Sequence, residues 1–251
     1  MSVLYSTATF IFERFSDITS KNTLVSDAFS SEFPKISTIN TPEDAPVEIP
    51  RFVLFSHHGF STVIITSNMI QLSTRFDNNF SEDWIGRCKP YLEKKVNLVF
   101  NFFKELNINP KYCGLTVNSL LTVDDSSVAK IENLFLKKKF ISNLNLHDVL
   151  IKQSFDFENK YFINLQLQNQ RYQQNQITNL ESIQILPEMN NKIGITLDMN
   201  DRKIANKSRD YFSTKESFEK ILIIADDVLK SGLDNLVNKG EIQCQAWSLL
   251  D

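Results

Sequence analysis

Glycine is scarce in this chain, with 6 in 251 residues. Neither a GxGxxG nor a GxxxxGKS/T loop occurs, which excludes the backbone cradles that hold nucleotide phosphates in Rossmann, kinase and P-loop proteins. A GxSxG nucleophile elbow is missing too. The 3 cysteines, Cys88, Cys113 and Cys244, are odd in number and widely spaced. They form no disulfide or metal framework and point to reduced thiols in a cytoplasm. The 3 histidines have neither HxH nor HExxH spacing. No apolar run reaches the roughly 18 residues that span a bilayer. Residues 1–15 alternate polar and apolar side chains without a basic leader, so a strand is expected there and not a signal peptide. The net charge is −3 and the pI about 5.7, which disfavours a dedicated duplex-DNA binder.

Phenylalanine, by contrast, is abundant, at 20 residues. Many of them fall on the apolar faces of expected strands and helices, which predicts an aromatic-rich core, although an AT-rich genome would raise the same count. Residues 3–15 form a first strand. Val25, Phe29 and Phe33, at i, i+4 and i+8, predict a short helix over 25–33. Residues 34–50, with Pro34, Pro42, Pro46 and Pro50, are expected to be a loop. Strands follow at 51–56 and 61–76, the second broken at Ser67-Asn68, with His57-His58-Gly59 as the turn between. Pro90 suits the first turn of a helix over 90–107 whose stripe is Leu92, Val96, Val99, Phe103 and Leu106.

The same order then recurs. A strand is predicted at 112–123, and a helix capped by Asp125 or Ser126 that carries Val128, Ile131, Leu134 and Phe135. Strands follow at 149–157, 161–170 and 193–199. In 161–170, Phe162, Asn164, Gln166 and Gln168 oppose Ile163, Leu165 and Leu167, so one face is buried and one solvated. A last helix over 217–238, capped by Ser213 or Ser217, carries Phe218, Ile221, Leu222, Ala225, Leu229 and Leu236, and a tail follows from 241. The expectation is an α+β fold, a single domain over 1–251 of two structural repeats, 1–110 and 111–251. Each half reads strand, helix, strands, helix, and together they form one antiparallel sheet with two long helices on one face, in the TBP-like or helix-grip manner.

This order, with Pro50-Arg51-Phe52, Trp84, the helix over 90–107, the strand over 112–118 and a strand–helix unit ending at 228–236, resembles a bacterial family of about this length. The resemblance covers most of the chain as a pattern. That family is sporadically distributed across genomes, as accessory and defence genes are. The resemblance implies a place in such a system and carries over no activity.

Candidate chemistry is sparse. His57-His58 could bind a metal or move a proton, but reads better as an exposed hairpin tip. His147-Asp148 reads as a polar pair in a loop. Cys113 has no cationic neighbour in sequence to activate it and is expected to be a buried thiol. Asp198 and Asp201, at the end of a strand, could hold Mg²⁺, whereas Asp226-Asp227 is expected to be a solvated helix edge. Lys137–Lys139 (in particular Lys138), Arg171, Tyr172, Arg202 and Lys203, with Lys207, Arg209 and the amide-rich run 166–176, could line an RNA groove. Tyr161, Tyr172 and Tyr211 would be the stacking residues. The leading expectation is a non-enzymatic binding or interaction module that recognises a protein or small ligand through an open sheet face. No cofactor or metal is expected, and homo-oligomerisation is left open. The alternative is an RNA-binding or RNA-cleaving protein in the same setting.

Overall fold

Polar–apolar alternation along most of the described strands places one side chain in two against the helices and builds a single antiparallel sheet. The computed structural model describes residues 1–42, 45–124, 126–136, 145–170 and 191–242. The strands are β1 (Ser2–Ile11), β2 (Lys35–Thr38), β3 (Phe52–Phe55), β4 (Ser61–Ile65), β5 (Met69–Arg75), β6 (Tyr112–Thr122), β7 (Leu150–Phe157), β8 (Tyr161–Asn169) and β9 (Lys192–Asn200). Their order across the sheet is β2-β3-β4-β5-β1-β6-β9-β8-β7. The first strand thus lies at the centre, where it pairs with both β5 and β6.

The helices are α1 (Asn22–Phe29), α2 (Asn78–Ser81), α3 (Lys89–Leu106), α4 (Ser127–Phe135), α5 (Arg202–Lys207), α6 (Lys215–Asp227) and α7 (Leu233–Lys239). None of the described helices is long and apolar enough to cross a membrane. Pro90 lies in the first turn of α3, and Asn107 closes it in the left-handed conformation at φ 53°. Ser126 caps α4 through the Ala129 N–H, and Asp125 lies outside the described residues. Gly59 turns the β3–β4 hairpin at φ 71°, where a side chain would be strained.

Both long helices meet one residue at the centre of the sheet. Phe10 of β1 is fully buried, with ring centroids 5.3 Å from Phe100 and 6.0 Å from Phe103 of α3, and 5.4 Å from Phe218 of α6. Phe29 of α1 lies 5.3 Å from Phe102, extending the aromatic packing beneath the first half of the sheet. Lys95, almost fully buried on α3, reaches the Glu32 carboxylate at 2.5 Å and lies over the rings of Phe33 and Tyr91. A buried ammonium is tolerated here because a carboxylate and two ring faces replace its water.

Four expectations are corrected. The stretch 34–50 is not all loop: β2 forms within it and pairs with β3. The last helix is not one rod, because a wide π-type turn over Val228–Gly232 separates α6 from α7. Its cap is Thr214, in a reciprocal pair with Ser217, and not a serine. Asp226 is not a solvated edge: it accepts the Trp84 indole N–H at 2.8 Å and pairs with Lys89, which ties α6 to the turn that begins α3.

Phe10→Ala removes the contact shared by both long helices and is expected to cost about 3–5 kcal/mol, read as a lowered urea midpoint. A cost below about 1 kcal/mol would show that the helices are anchored independently of it.

Candidate functional site: the open sheet face and the cavity behind it

The face of the sheet opposite α3 and α6 carries a register-matched row across the nine described strands. Backbone pairing aligns Lys35, Phe55, Thr62, Ser73, Thr7, Thr116, Asp198, Asn164 and Ser154. Its side chains bond to one another. Ser154 donates to Asn164 at 2.7 Å, the Asn164 amide donates to Asp198 at 2.9 Å, and Thr116 donates to the other Asp198 oxygen at 3.3 Å. Thr7 and Ser73 share a hydrogen bond of 3.2 Å. In the next row Thr196 donates to Asn118 at 2.7 Å. Such cross-strand pairs stiffen the face and hold its amides and hydroxyls in place.

Charge is thin on this face. Across β5, β1, β6, β9 and β8 the central outward residues are Gln71, Ser73, Thr7, Thr9, Thr116, Asn118, Thr196, Asp198, Asn164, Gln166 and Gln168, of which Asp198 alone is ionisable. Arg75 and Lys192 sit at strand ends, and Lys35, Lys152 and Asp156 on the outermost strands. One corner is apolar: Val53 opposes Ile64, and Ile11 opposes both Met69 and Tyr112.

Arg202 and Lys203 lie on α5, at the end of the sheet. Arg202 stacks 5.7 Å from the Tyr112 ring, and Lys203 lies 5.9 Å from the Phe162 ring while pairing with Asp156. Lys207 donates to Asn159. Lys138, Arg171 and Tyr172 lie outside the described residues, as does most of the run 166–176. Two of the expected stacking tyrosines are otherwise engaged. Tyr161 is buried on the helix side, and the Tyr211 hydroxyl is bound to Asp201. The rings that meet the cations are Tyr112 and Phe162, which sequence reasoning did not single out.

Asp198 and Asp201 do not converge on a metal. Asp198 belongs to the open face, while Asp201 is fully buried beyond the end of β9. Asp201 gathers three donors from two segments: the Cys113 N–H of β6 at 2.8 Å, and the Tyr211 hydroxyl at 2.7 Å and Ser213 hydroxyl at 2.5 Å from the loop after α5. The Cys113 thiol adds a weak contact at 3.7 Å. Burial raises the Asp201 pKa above its ordinary value, against the opposing hydrogen bonds from Ser213, Tyr211 and Cys113. Burial and then Asp201 push the Cys113 thiol well above its ordinary range, so it is no nucleophile at neutral pH. Burial likewise lifts Cys88 to about 12. Among the described residues, no group of three or more His, Cys, Asp or Glu side chains is placed to hold a metal. His57 and His58 are exposed at the hairpin tip.

Behind β7, β8 and β9, on the helix side, lies a cavity of about 290 Å³. Leu165, Leu167 and Leu197 form its floor, Phe135 of α4 and Leu236 of α7 its roof, and Gln153, Phe155 and Glu241 its more exposed rim. At ~24 cal/mol per Å³, a sealed void of 290 Å³ would cost about 7 kcal/mol, as much as many domains' whole net stability. Water entering at the rim offsets part of that cost, but the floor offers it few polar partners.

No family model matches the chain, and no curated protein matches it at a significant level.

The raised Asp201 pKa has a defined linkage sign. Its contribution to stability is complete below the ordinary carboxylate value of 3.8 and is lost as pH rises through the raised folded-state value. Asp201→Asn cannot ionise, so urea midpoints taken from about pH 3 to about pH 8 should fall with pH in the native chain relative to the variant. Parallel curves would assign Asp201 an ordinary pKa.

Proposed function

We propose that the protein is a non-enzymatic binding subunit of a bacterial accessory or antiviral-defence system, and that it recognises a protein partner through the open face of its sheet. The observation that carries this reading is the charge-depleted centre of that face, with 23% of the whole chain charged. Solvated sheet faces ordinarily mix Lys, Glu and Arg with their hydroxyls, whereas the cores of protein interfaces lose those residues. The apolar corner at Val53, Ile64 and Met69 and the exposed Tyr5 and Phe55 supply the buried area such an interface needs. The face spans nine strands, each about 4.8 Å from the next, wide enough for an interface of standard size.

This reading takes the chain as one domain of two halves, 1–110 and 111–251, in the TBP-like or helix-grip manner. In support, β1 and β6 pair at the sheet centre and each half extends outward from its own central strand. Each half also ends in a long helix, and both helices meet Phe10. Cys88 and Cys113 are free thiols, in keeping with a reducing cytoplasm. The accessory or defence setting rests on the family resemblance. A second reading, RNA binding, is favoured by Arg202 and Lys203 lying over Tyr112 and Phe162.

Gln71→Lys on β5 and Gln166→Lys on β8 place a charge on each half of the face with little expected change in stability. The tagged native chain, purified from its own type of cell, should bring down a stoichiometric protein, and both variants should lose it with unchanged thermal unfolding. Equal capture by native and variant chains rejects the face as the interface. RNA in the eluate, released by salt, moves the function to the second reading.

A further inference from the structure

The two ends of the core are filled differently. Among the described residues, of the largest fully buried side chains only Phe218 comes from beyond α3; the others include Phe29, Phe33, Phe52 and Phe102. Beneath β3, β4 and β5 the apolar residues are sealed, and Leu54 and Leu72 are 0% exposed. Beneath β8 the corresponding leucines line empty space instead: Leu165 is 6% exposed and Leu167 4%. The fold can therefore close this layer with aromatic rings, and in the first half it does. In the second half the same layer holds the cavity of about 290 Å³.

We propose that this cavity is a binding site for a compact, uncharged apolar molecule of bicyclic size, with a single hydroxyl or carbonyl directed to the Gln153 carboxamide at the rim. This site is independent of the protein interface on the opposite face. The size follows from volume. An apolar cavity of roughly 150 Å³ accepts benzene, so about twice that volume fits two fused rings or a branched aliphatic molecule of similar bulk. Neutrality follows from the lining. The floor is aliphatic, and the two polar side chains are Gln153 and Glu241, both at the rim. Among the described lining residues no cation faces the aliphatic floor, so a carboxylate or phosphate head would lose its water there without a counter-charge. Gln153 can both donate and accept. Entry lies along β7, the outermost described strand on that side. There Phe155 is 41% exposed and forms part of the mouth.

The test uses the full chain, labelled at its leucine methyl groups, with 2-naphthol as the probe. Saturable movement of the Leu165, Leu167 and Leu197 methyl resonances is expected, with a rise in Tm that follows probe concentration. Leu197→Phe places a ring on the floor and should weaken binding at least tenfold. No methyl movement at millimolar probe, or equal affinity in a folded Leu197→Phe chain, overturns the proposal. Should that variant fail to fold, Gln153→Leu on the exposed edge decides. It should lower the preference for 2-naphthol over naphthalene by about threefold or more, and an unchanged preference overturns the proposal.

Discussion

The two long helices converge on Phe10. It lies on the strand at the middle of the sheet, and its ring touches aromatic side chains of α3 and α6. Helices from distant parts of the chain are thereby held against the same strand. Aromatic pairs in such edge-on or tilted arrangements each add about 0.5–1.5 kcal/mol beyond the area they bury. The Trp84–Asp226–Lys89 contact fastens the same two helical segments a second time, with polar chemistry. With both contacts in place, the long helices are fixed on one face, and among the described residues the other stays open except where α5 lies at its end.

Much of the architecture was legible because each element has one wet and one dry side. The alternation of 161–170 appears as β8 with Ile163, Leu165 and Leu167 inward, and the stripe on 90–107 appears as α3. What escaped had no such signature. β2 has four residues, too few for alternation to register among prolines, and its existence depends on β3 beside it. The turn at Val228–Gly232 leaves apolar residues on the buried side of the helix, so periodicity runs through it unbroken. Asp201 is defined by donors that lie 10, 12 and 88 residues away, and no local pattern could mark it. The candidate face was half legible. The alternation of 161–170 announced a solvated surface on that strand, but its alignment with Thr116 and Asp198 into one hydrogen-bonded row needed the register.

The halves differ in filling more than in topology. Among the described residues, buried phenylalanine is concentrated in the first half, while leucines floor the wider space in the second. One sheet can therefore serve two purposes without conflict. Its hydrogen-bonded front needs rigidity, which cross-strand pairs supply. The space behind β8 needs room, which smaller side chains leave. Because Asp198 points forward and Leu197 backward from adjacent positions on β9, substitutions on the two surfaces are expected to be nearly independent wherever they share no partners.

The central place of β1 has a consequence during synthesis. Its neighbour β5 is complete at Arg75, but its other neighbour begins only at Tyr112. At a translation rate of about 5–20 residues per second, the intervening stretch takes on the order of two to seven seconds to appear. For that time the nascent sheet ends in an unpaired central strand, with Ala8 and Phe10 on one side and a free row of backbone donors and acceptors along its edge. Such an edge recruits any strand that reaches it. The arrival of β6 moves that open edge from β1 to β6, which has its own second neighbour only once β9 begins at Lys192, so the nascent sheet stays adhesive until its last strand is made.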